Sequence, residues 1–228
     1  MREDICIIPI NDVFLPKDGC PICRMHDMLE ARGVEYITGS AMMEPDVRIK
    51  TNEKGFCFSH FQKMLTTGKR LPNGLLVQSH LDEIQEKYLP LNIKGKPDKK
   101  QITELNAVQK SCFICEKIEK EMEHMRSIIF SKWQSDPDFK ALYSEQETFC
   151  LSHYVWLMDG AINKGVSSKI LPEFYSTTAT ISGRVLKKLR EDIAAFCGSY
   201  DYKNSGCDVE AVKDSIERSI EFLTGKTI

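Results

Sequence analysis

The sequence predicts an all-α fold: a helical protein with two duplicated metal-stapled helical repeats and a C-terminal helical extension. Apolar residues recur in steps of three and four, while alternating runs of strand type are almost absent. Cysteines and histidines occur in pairs three positions apart, which places both members on one face of a helical turn. The pairs are themselves repeated. Cys20-Pro21-Ile22-Cys23 precedes Cys57-Phe58-Ser59-His60, and Cys112-Phe113-Ile114-Cys115 precedes Cys150-Leu151-Ser152-His153.

In the first copy 33 residues separate Cys23 from Cys57, and in the second 34 separate Cys115 from Cys150. Ligand identity, order and separation therefore recur together. Two four-ligand sites are implied, one within each copy, each joining two helices. Three thiolates and one imidazole suit tetrahedral zinc, so two zinc ions are the expected cofactors. A closed set of four leaves no position for a reacting water, which favours a structural role coupled to folding. An iron-sulfur cluster is the alternative, although the usual tight cysteine runs are missing.

Pro21 suits a first helical turn, so the first cysteine pair is expected at a helix N-terminus, where the dipole favours thiolate. Glu44-Pro45-Asp46-Val47-Arg48 leads toward Cys57 as Asp136-Pro137-Asp138-Phe139-Lys140 leads toward Cys150. Each copy then enters an aromatic-Cys-x-Ser-His-aromatic run, Phe56 to Phe61 and Phe149 to Tyr154, a duplication of a unit of about 40 residues. Phe61, Met64 and Leu65 continue one apolar face and Tyr154 and Leu157 the other. A helix is expected near residues 74 to 89. Residues 92–100, polar, basic and broken by Gly95 and Pro97, read as a linker between a first repeat at 1–93 and a second at 101–228.

From Leu105 the apolar positions Val108, Cys112, Cys115, Ile118, Met122, Met125 and Ile129 predict one long helix carrying both cysteines. Further helices are expected near 168 to 197 and 207 to 224, the last with Val209, Val212, Ile216, Ile220 and Leu223 on one face and Gly198, Gly206 and Gly225 as punctuation. Each half is short for an independent helical domain, so a shared core is expected.

At 228 residues, 42% hydrophobic and 28% charged, the chain has the composition of an ordinary folded protein. Its formal charge of -2 and pI near 6.2 provide no basic field for a phosphate backbone, so nucleic acid is not an expected partner. The apolar stretch Ile5 to Ile8 is far short of a signal-peptide core, and no later run reaches membrane-spanning length. A cytoplasmic protein is the expectation, and a reducing compartment disfavours disulfides. Six of the nine cysteines belong to the pairs; Cys6, Cys197 and Cys207 are expected as buried small hydrophobes. Met25, Met28, Met42, Met43 and Met64 are expected to fill the core, and His26, His80 and His124 to take surface or capping roles.

No known catalytic motif is present. Arg48, Asn52 and Gly55 stand in the first copy only, as a ligand pocket or as hydrogen bonding that aims the Cys57 loop. If a pocket, Arg48 and Asn52 are its candidate residues for an anionic substrate.

Several of these motifs together resemble a bacterial family of unknown function with paired CPxC and GFCxxH elements. They are Cys20 to Cys23, Met43 to Arg48, Asn52, Gly55 to His60, the Cys112 to His153 set, Tyr200 to Asn204 and Ile220 to Gly225. The resemblance spans nearly the whole chain. It implies an anaerobe-type bacterial cytosolic protein and supplies no established activity. Phe113 in place of Pro21, and Thr148 in place of Gly55, depart from the pattern in the second copy.

The functional expectation is a metal-stabilised scaffold presenting a surface to a protein partner. Its alternatives are an iron-sulfur redox protein or accessory enzyme of anaerobic metabolism, and an enzyme using the Arg48 and Asn52 pocket.

Overall fold

The computed structural model describes residues 10–89, 95–200 and 210–225. Eleven α-helices and no strand occur among them: α1 Ile10–Phe14, α2 Pro21–Ile37, α3 Pro45–Lys54, α4 Phe58–Thr66, α5 Arg70–Lys87, α6 Lys99–Lys110, α7 Phe113–Ser135, α8 Pro137–Ser144, α9 Leu151–Gly160, α10 Leu171–Gly198 and α11 Ser215–Thr224. The all-α class is as the periodicity predicts. Pro21, Pro45 and Pro137 each occupy the first helical position, where the missing N–H has no intrahelical partner to lose. Asp136 caps α8 by accepting from the N–H groups of Asp138 and Phe139 at 3.1 Å.

The described residues form two compact units, each built from separate parts of the chain. Asp27–Met122 makes up the first, and the described parts of Ile7–His26 and Glu123–Ile228 the second. The division falls inside α2 and inside α7, not at the 92–100 segment. In the first unit Leu29, Ile37, Met64, Leu76 and Ile114 are fully buried. Gly33 lets α2 approach α7, since a Cβ added there would lie only 3.4 Å from the Ile114 side chain. The second unit has an aromatic centre. Phe14, Trp133, Phe139, Tyr143, Phe149 and Phe174 are buried, with neighbouring ring centroids 4.8–5.8 Å apart in the closest pairs. Each such side chain contributes roughly 1.5–3 kcal/mol by leaving water. Tyr143 Oη is paired with Thr178 Oγ1 at 2.8 Å, so the ring is buried without stranding its hydroxyl.

Several sequence expectations are corrected. The predicted continuous helix from Leu105 to Ile129 is broken at Ser111 and Cys112. The Ser111 hydroxyl donates to the Lys54 carbonyl at 2.6 Å, and the Phe113 N–H to the Gly55 carbonyl at 3.0 Å. Those tertiary bonds satisfy a fresh helix start where an unbroken ladder was expected. On α11 the expected apolar face is the outer one, with Ile216, Ile220 and Leu223 exposed while Ser215 and Phe222 are buried. Arg218 sets that rotation by pairing with the buried Asp192 of α10 at 3.1 Å. Met43 is exposed, whereas Met25, Met42 and Met64 are buried as expected. Cys197 is exposed, and Cys6 and Cys207 lie outside the described residues.

Candidate metal centres

All four ligand pairs begin helices. Cys20 and Cys112 immediately precede α2 and α7, while Cys57 and Cys150 are the N-caps of α4 and α9 with extended backbone, φ -71°, ψ 163° and φ -61°, ψ 161°. The second member of each pair, Cys23, His60, Cys115 or His153, is the third residue of its helix. A capping sulfur can thus face unsatisfied backbone N–H groups while its partner lies beside it one turn on. The Cys115 N–H lies 3.5 Å from Cys112 Sγ in this way. Pro21 was the only sequence signal for a helix start, yet Phe113 begins α7 equally well.

The structure brings all eight predicted residues together, but in crossed sets. Cys20 and Cys23 converge with Cys150 and His153 in site I, and Cys57 and His60 with Cys112 and Cys115 in site II. Each site takes its CxxC from one sequence copy and its CxxH from the other, correcting the expected pairing within each copy. Each also lies inside one compact unit, site I in the second and site II in the first.

Within either site the four candidate ligand atoms lie within 4.8 Å of one another. In site I, His153 Nδ1 stands 3.6, 3.3 and 3.1 Å from the sulfurs of Cys20, Cys23 and Cys150, and the last two sulfurs are 3.7 Å apart. In site II, His60 Nδ1 stands 3.2, 3.2 and 3.3 Å from Cys57, Cys112 and Cys115, with Cys57 and Cys115 sulfurs 3.8 Å apart. These cysteines are free thiols; a disulfide would bring its sulfurs to about 2.05 Å.

So many soft donors at such separations cannot all ionise without a cation. Bonds with Cys150 and Cys23 hold the Cys20 thiol far below its usual value, while bonds with Cys150 and Cys20 drive Cys23 far above it. In site II burial works to raise Cys57, but the His60 N–H and the other sulfurs leave it lowered. Cys115, partly buried and facing Cys112 and Cys57, is pushed up to about 12. Burial lowers His153, yet bonds to Cys150 and Cys20 carry it up to about 9.

The surroundings of the two histidines differ. His60 presents Nε2 to Glu30 Oε1 at 3.1 Å, and Glu30 also pairs with Lys63. A carboxylate on the far ring nitrogen fixes the tautomer that offers Nδ1 to an ion. His153 packs edge-on to Trp156, whose indole N–H donates to Glu123 at 3.2 Å and whose ring lies under Arg126. Site I also receives the end of α11: the Gly225 carbonyl is 3.3 Å from Cys23 Sγ, and a Cβ on Gly225 would meet Cys150 Sγ at 3.0 Å. Glu30 carries no motif that the sequence alone could flag, and Gly225 reads there as a helix end, not as a neighbour of the cysteines. Arg48 and Asn52 lie one turn apart on α3 and line neither the cavity of about 690 Å³ in the first unit nor that of about 480 Å³ in the second. The Asn52 carbonyl is 2.8 Å from His80 Nδ1, and the His80 ring occupies the space where a Cβ on Gly55 would fall.

Helical fold and paired donor sets define an all-α protein with two Cys/His clusters able to hold metal ions. The chain belongs to DUF6062, a family of unknown function, whose profile matches residues 1–228. No curated protein and no solved structure matches it.

Proposed function

We propose that the chain is a cytosolic metal-binding protein whose two Cys3His sites each hold one structural zinc ion, stabilising a surface for a protein partner or ligand. The observation that carries this reading is the spacing of the donors. Zinc bonds of about 2.3 Å to sulfur and about 2.0–2.1 Å to nitrogen put tetrahedral S···S edges near 3.8 Å and S···N edges near 3.5 Å. The S···S contacts of 3.7 and 3.8 Å and S···N contacts of 3.1–3.6 Å fit a single ion in each site. An iron-sulfur cluster shares its protein ligands among several irons, and donors gathered within 4.8 Å favour one ion instead.

A structural role is supported by what each ion would join: α2 with α9 at site I, and α4 with α7 at site II. A partner-binding role is supported by Leu81 of α5, Leu89 just beyond it and Ile102 of α6, each more than half exposed around a cavity of about 690 Å³. No helix of the described residues is long and apolar enough to cross a membrane. Free thiols at both sites suit the reducing interior of a cell.

Elemental analysis with an absorption spectrum, on untagged protein purified without oxygen, tests the reading. Two zinc ions per chain and no visible absorption are expected. Iron with acid-labile sulfide would replace it with the redox alternative.

A further inference from the structure

Site I forms part of the wall of a cavity. Cys20, Cys23 and Cys150 line a space of about 480 Å³ in the second unit, a volume suited to a small ligand. None of the four site II residues lines the cavity of about 690 Å³ in the first unit.

The remaining wall is part charged and part apolar. Arg184, Lys188 and Arg218 bring three cations to it, Glu147 and Glu221 two carboxylates, and Val185, Leu189 and Phe222 apolar surface. Two cations are already engaged. Lys188 and Arg218 both pair with Asp192, at 2.6 and 3.1 Å, and Arg218 also pairs with Asp214 at 3.0 Å. Arg184 has no carboxylate partner among the described residues, and its contact is a long one of 3.4 Å to the Gln146 carbonyl. Glu147 accepts from the Gly19 N–H at 2.9 Å. Thr148, also in the wall, has a buried hydroxyl oxygen with no hydrogen-bond partner among the described residues. A ligand oxygen that reached this hydroxyl would give it the partner it lacks.

We propose that this cavity binds a small organic anion, with its carboxylate held by Arg184 and the Thr148 hydroxyl and its short apolar body on Val185, Leu189 and Phe222. The guanidinium supplies a two-pronged donor matched to a carboxylate, and the apolar side chains select a hydrocarbon chain over a bare inorganic anion. The ligand would lie against three donors of site I. A consequence that rests on the metal reading above is that an occupied cavity shields one of the two ions from chelators.

The test uses the full metal-loaded chain with octanoate as probe. Calorimetric titration is expected to show saturable one-to-one binding, weakened at least tenfold in Arg184→Gln and several-fold in Thr148→Val. Octylamine, which has the same body and a cationic head, is expected not to bind. In the wild type, octanoate slows extraction of one metal ion by a colorimetric chelator; in Arg184→Gln it does not. Wild-type protein that shows no saturable octanoate binding, an Arg184→Gln chain that binds equally well, or equal binding of octylamine overturns the proposal. Metal counts on the same samples separate the two readings. Octanoate binding to a chain that holds no metal sustains the cavity and removes the metal centres; two ions with no octanoate binding does the reverse.

Discussion

Replacing Cys150 with serine tests whether that sulfur holds an ion, and double variants built beside it test the crossed pairing. Site I joins Cys23 to Cys150 across 127 positions of chain, and site II joins His60 to Cys112 across 52. Treated as a cross-link that restricts the unfolded chain, a loop of 127 residues contributes about 5 kcal/mol at 25 °C and one of 52 about 4 kcal/mol. For a chain of this size 1 kcal/mol shifts the melting temperature by about 2–4 °C. Cys150→Ser is therefore expected to lower Tm by about 10–20 °C and to reduce bound metal from two ions to one. Double variants make the pairing explicit. Cys20→Ser with His153→Ala damages one site and keeps one ion, while Cys20→Ser with His60→Ala damages both and keeps none. Calorimetric melting and elemental analysis on the same preparations decide the matter. If the first double variant loses both ions and the second keeps one, the crossed assignment is wrong.

Glu30→Gln removes the carboxylate that orients His60 and should weaken metal at site II about 10–100-fold while leaving site I unchanged, measured by chelator competition. Gly225 adopts φ 71° and lies against Cys150 Sγ, so Gly225→Ala should cost about 1–2 kcal/mol and hasten metal loss from site I, as melting and chelator kinetics would show. The Lys188 and Arg218 contacts hold the Asp192 carboxyl below its ordinary range, against the opposing cost of burial. A depressed carboxylate pKa contributes stability that is present above the unfolded value near 4 and is lost as pH falls through the folded value. Melting curves from about pH 5 to about pH 2 should therefore fall less steeply for Asp192→Asn than for the wild type.

All eight clustered residues are legible in the sequence because a spacing of three on a helical turn is a local property. Their grouping is not. Each copy offers one CxxC and one CxxH, so exchanging CxxH elements between copies leaves two sets of identical composition. Only the convergence of the first turns of α2 and α9, and of α4 and α7, distinguishes the alternatives. The break before α7 was hidden for a related reason: Cys112 faces inward as a capping residue, just as it would on a continuous helical stripe. On α11 the stripe of Ile216, Ile220 and Leu223 satisfies the helical period, but periodicity does not say which side is covered. The bond from Arg218 to Asp192, made between residues 26 positions apart, turns the other side inward. Glu30 and Gly225 reach their sites through tertiary packing alone, which no local pattern records.

The crossed donor sets also constrain the order in which the chain can mature on the ribosome. When only the first repeat has emerged, Cys20, Cys23, Cys57 and His60 are all present, and they offer the same chemistry as a finished centre. An ion captured then would fasten the wrong helices together. Site II becomes possible once Cys115 is synthesised, and site I must wait for His153. A chain loaded with metal at both clusters would therefore need exchange or delayed delivery of the ion. Refolding with metal added at the start should yield more misassembled chain than refolding with metal added last.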